Sequence, residues 1–298
     1  MGLLEAHAGL AGKVAVVVGG AGEIIGRAVT LGLAKAGVSI ATCDIHEDAV
    51  AAIVPEVEAL GVRILSVHAD AADPQALDAF YDEVEAGFGT VNIVVNVVGG
   101  VKRSLFMNTT REDNARDIRL NYGYVIDSCR RAIALIRKSG NGGTIINFTT
   151  IEAHRGAATY AVYAGAKAAT TNFSRALAVE LGGEQIRVNL IAPDTSPART
   201  SNAALYPEDF ERFAKLGDDA MARTLEMYVP LKRAPAVDDL VNGVLFLASD
   251  LSRSITGTTL HIDGGTSASL GFLDWPCGDS FMPAPLGGTL ARLFPKDD

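Results

Sequence analysis

Val14-Ala15-Val16-Val17-Val18-Gly19-Gly20-Ala21-Gly22-Glu23-Ile24-Ile25-Gly26 is the stretch on which the reading of the fold turns. Its first five residues are apolar on both faces, as a strand covered by helices on either side requires. The run from Gly26 to Ala36 has the spacing of an amphipathic helix. Between the two lies a glycine loop. Glycines there let the backbone turn tightly and approach a pyrophosphate, which rests on the free N–H groups of the helix start. Gly19, Gly22, Ile25 and Gly26 are therefore candidate cofactor-binding residues.

The same alternation continues along the chain. Short apolar runs recur at Val38–Ala41, Ile64–Val67, Val91–Val95, Thr144–Phe148, Arg187–Ile191 and Thr258–Ile262, with amphipathic stretches such as Pro74–Gly87 and Lys167–Leu181 between them. Strands separated by helices of that length imply βαβ units and a doubly wound α/β fold, a parallel sheet of about seven strands with helices on both faces. No repeat or Pro/Ser-rich linker divides the pattern, so residues 1–268 read as one Rossmann-type catalytic domain. Residues 194–229 are polar and helical in pattern, and are expected to form a substrate lid. Residues 269–298, rich in Gly and Pro, read as an irregular C-terminal extension that closes its own or a neighbouring subunit's pocket.

Of 298 residues, 48% are hydrophobic and 20% charged, and the formal net charge is −9. That composition supports a sizeable core and argues against binding a phosphate backbone, which needs clustered Lys and Arg. Nucleic acid and membrane are excluded as expected partners: there is no basic stripe and no apolar run near the roughly 20 residues of a span. Nothing at the start reads as a secretory signal. Cys43, Cys129 and Cys277 form no CxxC pair, so three reduced thiols, a cytoplasmic location and no metal site are expected.

Further site candidates follow the strands. Asp44 ends the second strand, where a carboxylate accepts from the adenine ribose hydroxyls and repels a 2′-phosphate, favouring NAD over NADP. Asp70 reaches the adenine end or caps a helix, and Asn96 with Gly99 flanks the middle of the cofactor. Tyr163 and Lys167 stand four apart on one helical face, where an ammonium about 4 Å away lowers a phenol of pKa about 10 toward the neutral range. The Thr150 hydroxyl is placed to hold a substrate oxygen beside that phenol. The Asn121 amide is placed to hold a water that links Lys167 to solvent. Glu152, His154 and Arg155 read as solvated loop residues within reach of a polar substrate group. Phe106 and Met107, with Leu205, Tyr206, Met221 and Met227, suggest an apolar pocket for a bulky or cyclic secondary alcohol or ketone.

Taken in order, the glycine loop at 19–26, Asp44, Asn96-Val97-Val98-Gly99, Asn121, Thr150, Tyr163 with Lys167, and Ile191-Ala192-Pro193 resemble the short-chain dehydrogenase/reductase family, over about residues 10–268. The resemblance implies a seven-stranded Rossmann sheet, an Asn-Ser-Tyr-Lys tetrad at Asn121, Thr150, Tyr163 and Lys167, and frequently a homotetramer. It also sets Tyr163, Lys167 and Pro193 beside the cofactor. The chain departs from the family pattern in four places. Val18 stands for the usual Thr before a loop one residue longer, with Glu23 expected to point outward. Val97-Val98 replaces Asn-Ala, and Thr150 replaces the catalytic Ser. Asp194 follows Pro193 where Gly is usual, leaving Thr195 or Ser196 to bind the nicotinamide carboxamide. The implied activity is NAD-linked oxidation of CH–OH groups in a small-molecule substrate. The rival readings are an NADP-linked ketoreductase, for which the residues after Asp44 offer no Arg or Lys, and a nucleotide-binding regulator without turnover.

Overall fold

The computed structural model describes residues 7–22, 24–194, 218–274 and 281–283. In chain order the elements are β1 (Val14–Val18), α1 (Ile25–Lys35), β2 (Ser39–Asp44), α2 (Glu47–Glu58), β3 (Ile64–His68), α3 (Pro74–Phe88) and β4 (Ile93–Asn96). Next come α4 (Arg111–Ile118), α5 (Tyr124–Ser139), β5 (Gly143–Phe148), α6 (Ala161–Leu181), β6 (Ile186–Pro193), α7 (Asp218–Tyr228), α8 (Val237–Ala248) and β7 (Thr259–Ile262). The short helix α9 (Thr266–Ser269) precedes a small ribbon of β8 (Phe272–Asp274) and β9 (Phe281–Pro283).

The seven long strands form one parallel sheet in the order β3-β2-β1-β4-β5-β6-β7. β1 sits between β2 and β4, with Val16 opposite Ala41 on one side and Val94 on the other. The chain reverses its winding at β1, which opens a crevice beyond the carboxyl ends of β1 and β4. Alternate residues of β1 feed opposite layers. Val16 and Val18 pack with Phe80, Tyr81 and Tyr124, whereas Ala15 and Val17 pack with Val29, Leu33, Leu240 and Val244. Truncating any one of these large side chains to Ala would cost about 2–5 kcal/mol.

Local chemistry fixes the element ends. Asp73 caps α3 by accepting from the Gln75 N–H at 2.9 Å, Pro74 fills the first turn, and Gly89 ends the helix at φ 74°. β2 ends at Asp44, where the sequence places the end of the second strand. Within it Thr42 is buried because its hydroxyl donates to the Val17 carbonyl at 2.8 Å and accepts from the Gly20 N–H at 3.1 Å. The tail departs from the irregular extension expected of it: Phe272–Asp274 pairs antiparallel with Phe281–Pro283. Lys232 binds this ribbon to the end of α7, pairing with Asp274, donating to the Glu226 carbonyl at 2.9 Å and lying 4.9 Å over the Phe281 ring. Among the described residues no helix is long and apolar enough to cross a membrane, and no cluster of His, Cys, Asp or Glu could hold a metal ion.

Candidate active site

A cavity of about 990 Å³ occupies the crevice and is lined by Gly19, Gly22, Ile25, Gly26, Asp44, Asp70 and Gly99 among others. Seven of the residues expected to hold the cofactor therefore meet on one surface. Gly19 has φ +84°, and a Cβ there would lie 2.5 Å from Val98 Cγ2. At Gly26 a Cβ would lie 1.8 Å from the Gly19 carbonyl oxygen, so only glycine lets α1 close on the loop. Ile24, before α1, makes no side-chain cap, which leaves the positive end of that helix facing the cavity for an anion. The cavity and its glycine cradle fit a dinucleotide.

Asp44 is buried at the end of β2. Its Oδ2 accepts from the Gly22 N–H at 2.7 Å and its Oδ1 from the His46 N–H at 3.2 Å. Asp70 accepts from the Ala72 N–H at 2.8 Å and still lines the cavity. Glu47 and Asp48 add to this acidic end, and no Lys or Arg is among the described residues lining it. Neither Glu47 nor Asp48 was singled out from sequence, although both lie in the first turn of α2, just past the strand that carries Asp44.

Asn96 requires a correction. Its side chain turns into the core, not toward the cofactor crevice, donating to Asn147 Oδ1 at 2.8 Å and accepting from Ser128 Oγ at 2.6 Å. Tyr81 and Ser174 extend this buried polar chain. The parallel sheet decides the matter, because alternate residues of β4 face opposite layers. Pro193 ends β6 opposite Ile262, outside the cavity lining. Thr195, Ser196, Leu205, Tyr206 and Glu23 lie outside the described residues, as does the Met221 side chain. Phe106 and Met107 are exposed and are not among the residues lining the cavity: a three-residue turn at the loop surface carries them outward.

Tyr163 and Lys167 lie on the first turns of α6, and Thr150 follows β5. Thr150 faces the Tyr163 phenol, and its hydroxyl acts to lower that phenol's pKa. Lys167 Nζ is buried and donates to the Phe148 carbonyl at 3.0 Å. A Cβ on Gly99 would stand 2.8 Å from that Nζ and 2.9 Å from Asn121 Oδ1, so this glycine leaves room for the lysine to reach the cavity wall. Here the expected electrostatics are reversed. Burial, with the negative charge of Glu152 adding to it, pushes Tyr163 up to about 12, and burial brings Lys167 down to about 8. Loss of water is the leading cause of both shifts.

Asn121 also differs from expectation. It lies in a single π-helical turn, Arg119–Gly123, between α4 and α5. Its amide is taken up by backbone: Nδ2 donates to the Gly100 and Asp117 carbonyls, both at 2.9 Å, and Oδ1 accepts from the Gly100 N–H at 3.1 Å. It clamps the loop after β4, with both amide hydrogens given to backbone carbonyls. Its main-chain carbonyl accepts from the Thr170 hydroxyl at 2.8 Å.

A polar network behind Thr150 was missed. The Thr150 hydroxyl donates to Glu152 Oε2, and Glu152 Oε1 pairs with Arg155 Nη2 at 2.8 Å. Arg155 also donates to the Tyr228 hydroxyl at 2.7 Å and reaches Asp194 at 3.3 Å. Tyr228 and Thr266 both donate to Asp194 Oδ2 at 2.6 Å. Glu152 and Arg155 are thus paired and partly buried instead of solvated. The signal available in sequence was the pairing of two departures, Thr150 and Asp194, with a Glu-x-x-Arg spacing in the loop between them.

The family model described as Enoyl-(Acyl carrier protein) reductase matches residues 20–267. L-rhamnose 1-dehydrogenase (NAD(P)(+)) of Sphingomonas sp. (strain SKA58) is 31% identical over 256 residues, 86% of this chain and 96% of that protein. Carveol dehydrogenase from Mycobacterium avium in complex with NAD aligns at TM-score 0.78 and 27% identity, over 87% of this chain and 99% of that one. A 7α-hydroxysteroid dehydrogenase complexed with NADH and 7-oxo glycochenodeoxycholic acid aligns at TM-score 0.78 and 28% identity, over 89% and 98% of the two chains. The matched span carries the glycine loop from Gly20 onward, the Tyr163–Lys167 pair and six of the seven strands of the sheet, β2 to β7. With that span, fold and site in common, the chain belongs to the short-chain dehydrogenase/reductase family.

Proposed function

We propose that the protein is an NAD(H)-dependent oxidoreductase that interconverts a secondary alcohol and a ketone on a bulky or cyclic apolar skeleton. The observation that carries this reading is the Tyr163 phenol facing Thr150, one helical turn from a buried Lys167 whose ammonium borders Gly99 of the dinucleotide cavity. Bound NAD supplies the acceptor for hydride from the carbinol carbon, and NADH the donor for the reverse. Gly19, Gly22, Ile25 and Gly26 take the pyrophosphate, Asp44 and Asp70 the adenosine end, and Gly99 with Lys167 the nicotinamide end. Thr150 and Tyr163 bind the substrate oxygen, and Tyr163 takes or gives its proton. Lys167 holds the loop through Phe148, and Asn121 braces the wall at Gly100. The skeleton is read from relatives named for carveol and for a 7α-hydroxysteroid, because the aromatic and Met side chains first considered for it line no described pocket. Homotetramer assembly and a cytoplasmic location belong to the same reading and rest on the family alone.

The preference for NAD is read from Asp44, a buried carboxylate at the end of β2 that lines the cavity and would repel a 2′-phosphate bound beside it. Two like charges about 4 Å apart repel by several kcal/mol at an effective dielectric near 20. Initial rates with NAD and NADP on a panel of carveol, a 7α-hydroxy bile acid, L-rhamnose and cyclohexanol test both points. We expect oxidation of a cyclic alcohol with at least about a tenfold preference for NAD, reduced in Asp44→Ala. A preference for NADP would contradict the Asp44 assignment.

A further inference from the structure

Arg155 is a cation on the loop that carries Thr150, a natural place to hold an acidic group of a substrate. Its hydrogens are already engaged. A guanidinium grips an oxyanion through one of two forks, Nε–H with Nη2–H or Nη1–H with Nη2–H, and both need a hydrogen of Nη2. Here Nη2 donates to Glu152 Oε1 at 2.8 Å and to Asp194 Oδ1 at 3.3 Å. Nη1 donates to the Tyr228 hydroxyl at 2.7 Å. Neither fork is open.

Two carboxylates on one guanidinium leave an excess of negative charge. Glu152 carries that excess to the reacting end of the site, because its Oε2 also accepts from the Thr150 hydroxyl. A substrate oxygen held by Thr150 is then two hydrogen bonds from Glu152, a span of about 5 Å. The negative charge of Glu152 is felt at Tyr160 and Tyr163, where it acts to raise both phenols. Asp194 is buried beneath Tyr228 and Thr266, which both donate to its Oδ2 at 2.6 Å. Salt and water therefore screen the cluster weakly. Arg103 is engaged elsewhere, donating to the Thr159 hydroxyl at 3.2 Å and lying over the Tyr160 ring.

We propose that Glu152 and Asp194 set the charge specificity of the site. It takes alcohols that are neutral or cationic around the carbinol, and excludes those with a carboxylate or phosphate on the adjacent carbon. This deepens the function proposed above and rests on it. Glu152 repels the anion directly. Asp194 is a positioning residue that, with Tyr228, keeps the forks of Arg155 filled. An acid several bonds from the carbinol, as on the side chain of a bile acid, lies beyond this reach.

The test uses a matched pair, 2-hydroxycyclohexanecarboxamide and 2-hydroxycyclohexanecarboxylate, which differ in charge at nearly equal size. Initial rates with saturating NAD give kcat/KM for each. The wild type should favour the amide by at least about tenfold. Glu152→Gln and Asp194→Asn each remove one charge and keep size, and each should lower that ratio by about tenfold. The double variant, with Arg155 left in excess, should favour the acid. A merely structural role would lower both rates together and leave the ratio where it was.

Equal values for the two probes, or a preference for the acid, in the wild type overturn the inference without any variant. A ratio unmoved in either single variant overturns it as well. So does rejection of both probes while any alcohol of the panel above is oxidised, because a wall that rejects the amide does not select by charge. Absence of turnover on every alcohol is a different result: it removes the function on which the specificity rests, and the specificity with it.

Discussion

An ammonium sealed beneath a sheet loses most of its hydration, and Lys167 shows the consequence. Its pKa falls from 10.5 to about 8 through burial, with the Phe148 carbonyl as its hydrogen-bond acceptor. The unfolded chain keeps that proton up to about pH 10.5, so between about 8 and 10.5 the unfolded state binds more protons and folding stability rises with pH. The shift corresponds to roughly 3 kcal/mol. Tyr163 acts in the opposite sense above pH 10, where the folded state holds its proton up to about 12 and stability falls as pH rises. In urea titrations of wild type against Lys167→Met, the wild type should gain on the variant by roughly 3 kcal/mol across that first window. A gap that does not change with pH would contradict the buried-ammonium account. The four-residue spacing of Tyr163 and Lys167 was legible in the sequence, and so was the hydroxyl of Thr150. Their ionisation was not, because spacing reports which side chains share a face and says nothing of how much water the fold removes from them.

At the scale of elements, the signals that failed were those of polar residues inside buried structure. Thr42 is buried within β2 because Val17 and Gly20 satisfy its hydroxyl, and no pattern of apolar residues announces that. Asn96 faces inward for the same reason, and its partners Ser128 and Asn147 come from two other elements. The π-turn at Arg119–Gly123 leaves no mark on hydrophobic periodicity, yet it points the Asn121 amide at Gly100. The helix α7 is held to the body of the fold by Tyr228, which donates to Asp194 and accepts from Arg155, and by Lys232 through the tail ribbon. Tyr228→Phe removes the first tie and leaves the second. Amide hydrogen exchange over residues 218–228 should quicken severalfold while exchange in the sheet stays unchanged. Unaltered exchange in that helix would mean that the ribbon alone holds it.

The architecture as a whole was the most legible level. Seven apolar runs became seven strands of a parallel sheet, since strands buried on both faces must be apolar throughout. The position of the crevice follows from strand order, which reverses at β1 and gathers the glycine loop, Asp44 and Gly99 at one end of the sheet. What joins the two halves of the site is the turn from β5 into α6, which brings Thr150, Tyr163 and Lys167 to the same end. The account therefore stands on one residue at that junction. The most direct test is steady-state alcohol oxidation with NAD by wild type and Tyr163→Phe, with NADH affinity measured by fluorescence titration of both. The account requires the Phe protein to lose turnover by about 1,000-fold while binding NADH nearly as the wild type does. A Phe variant that keeps most of its rate would contradict it.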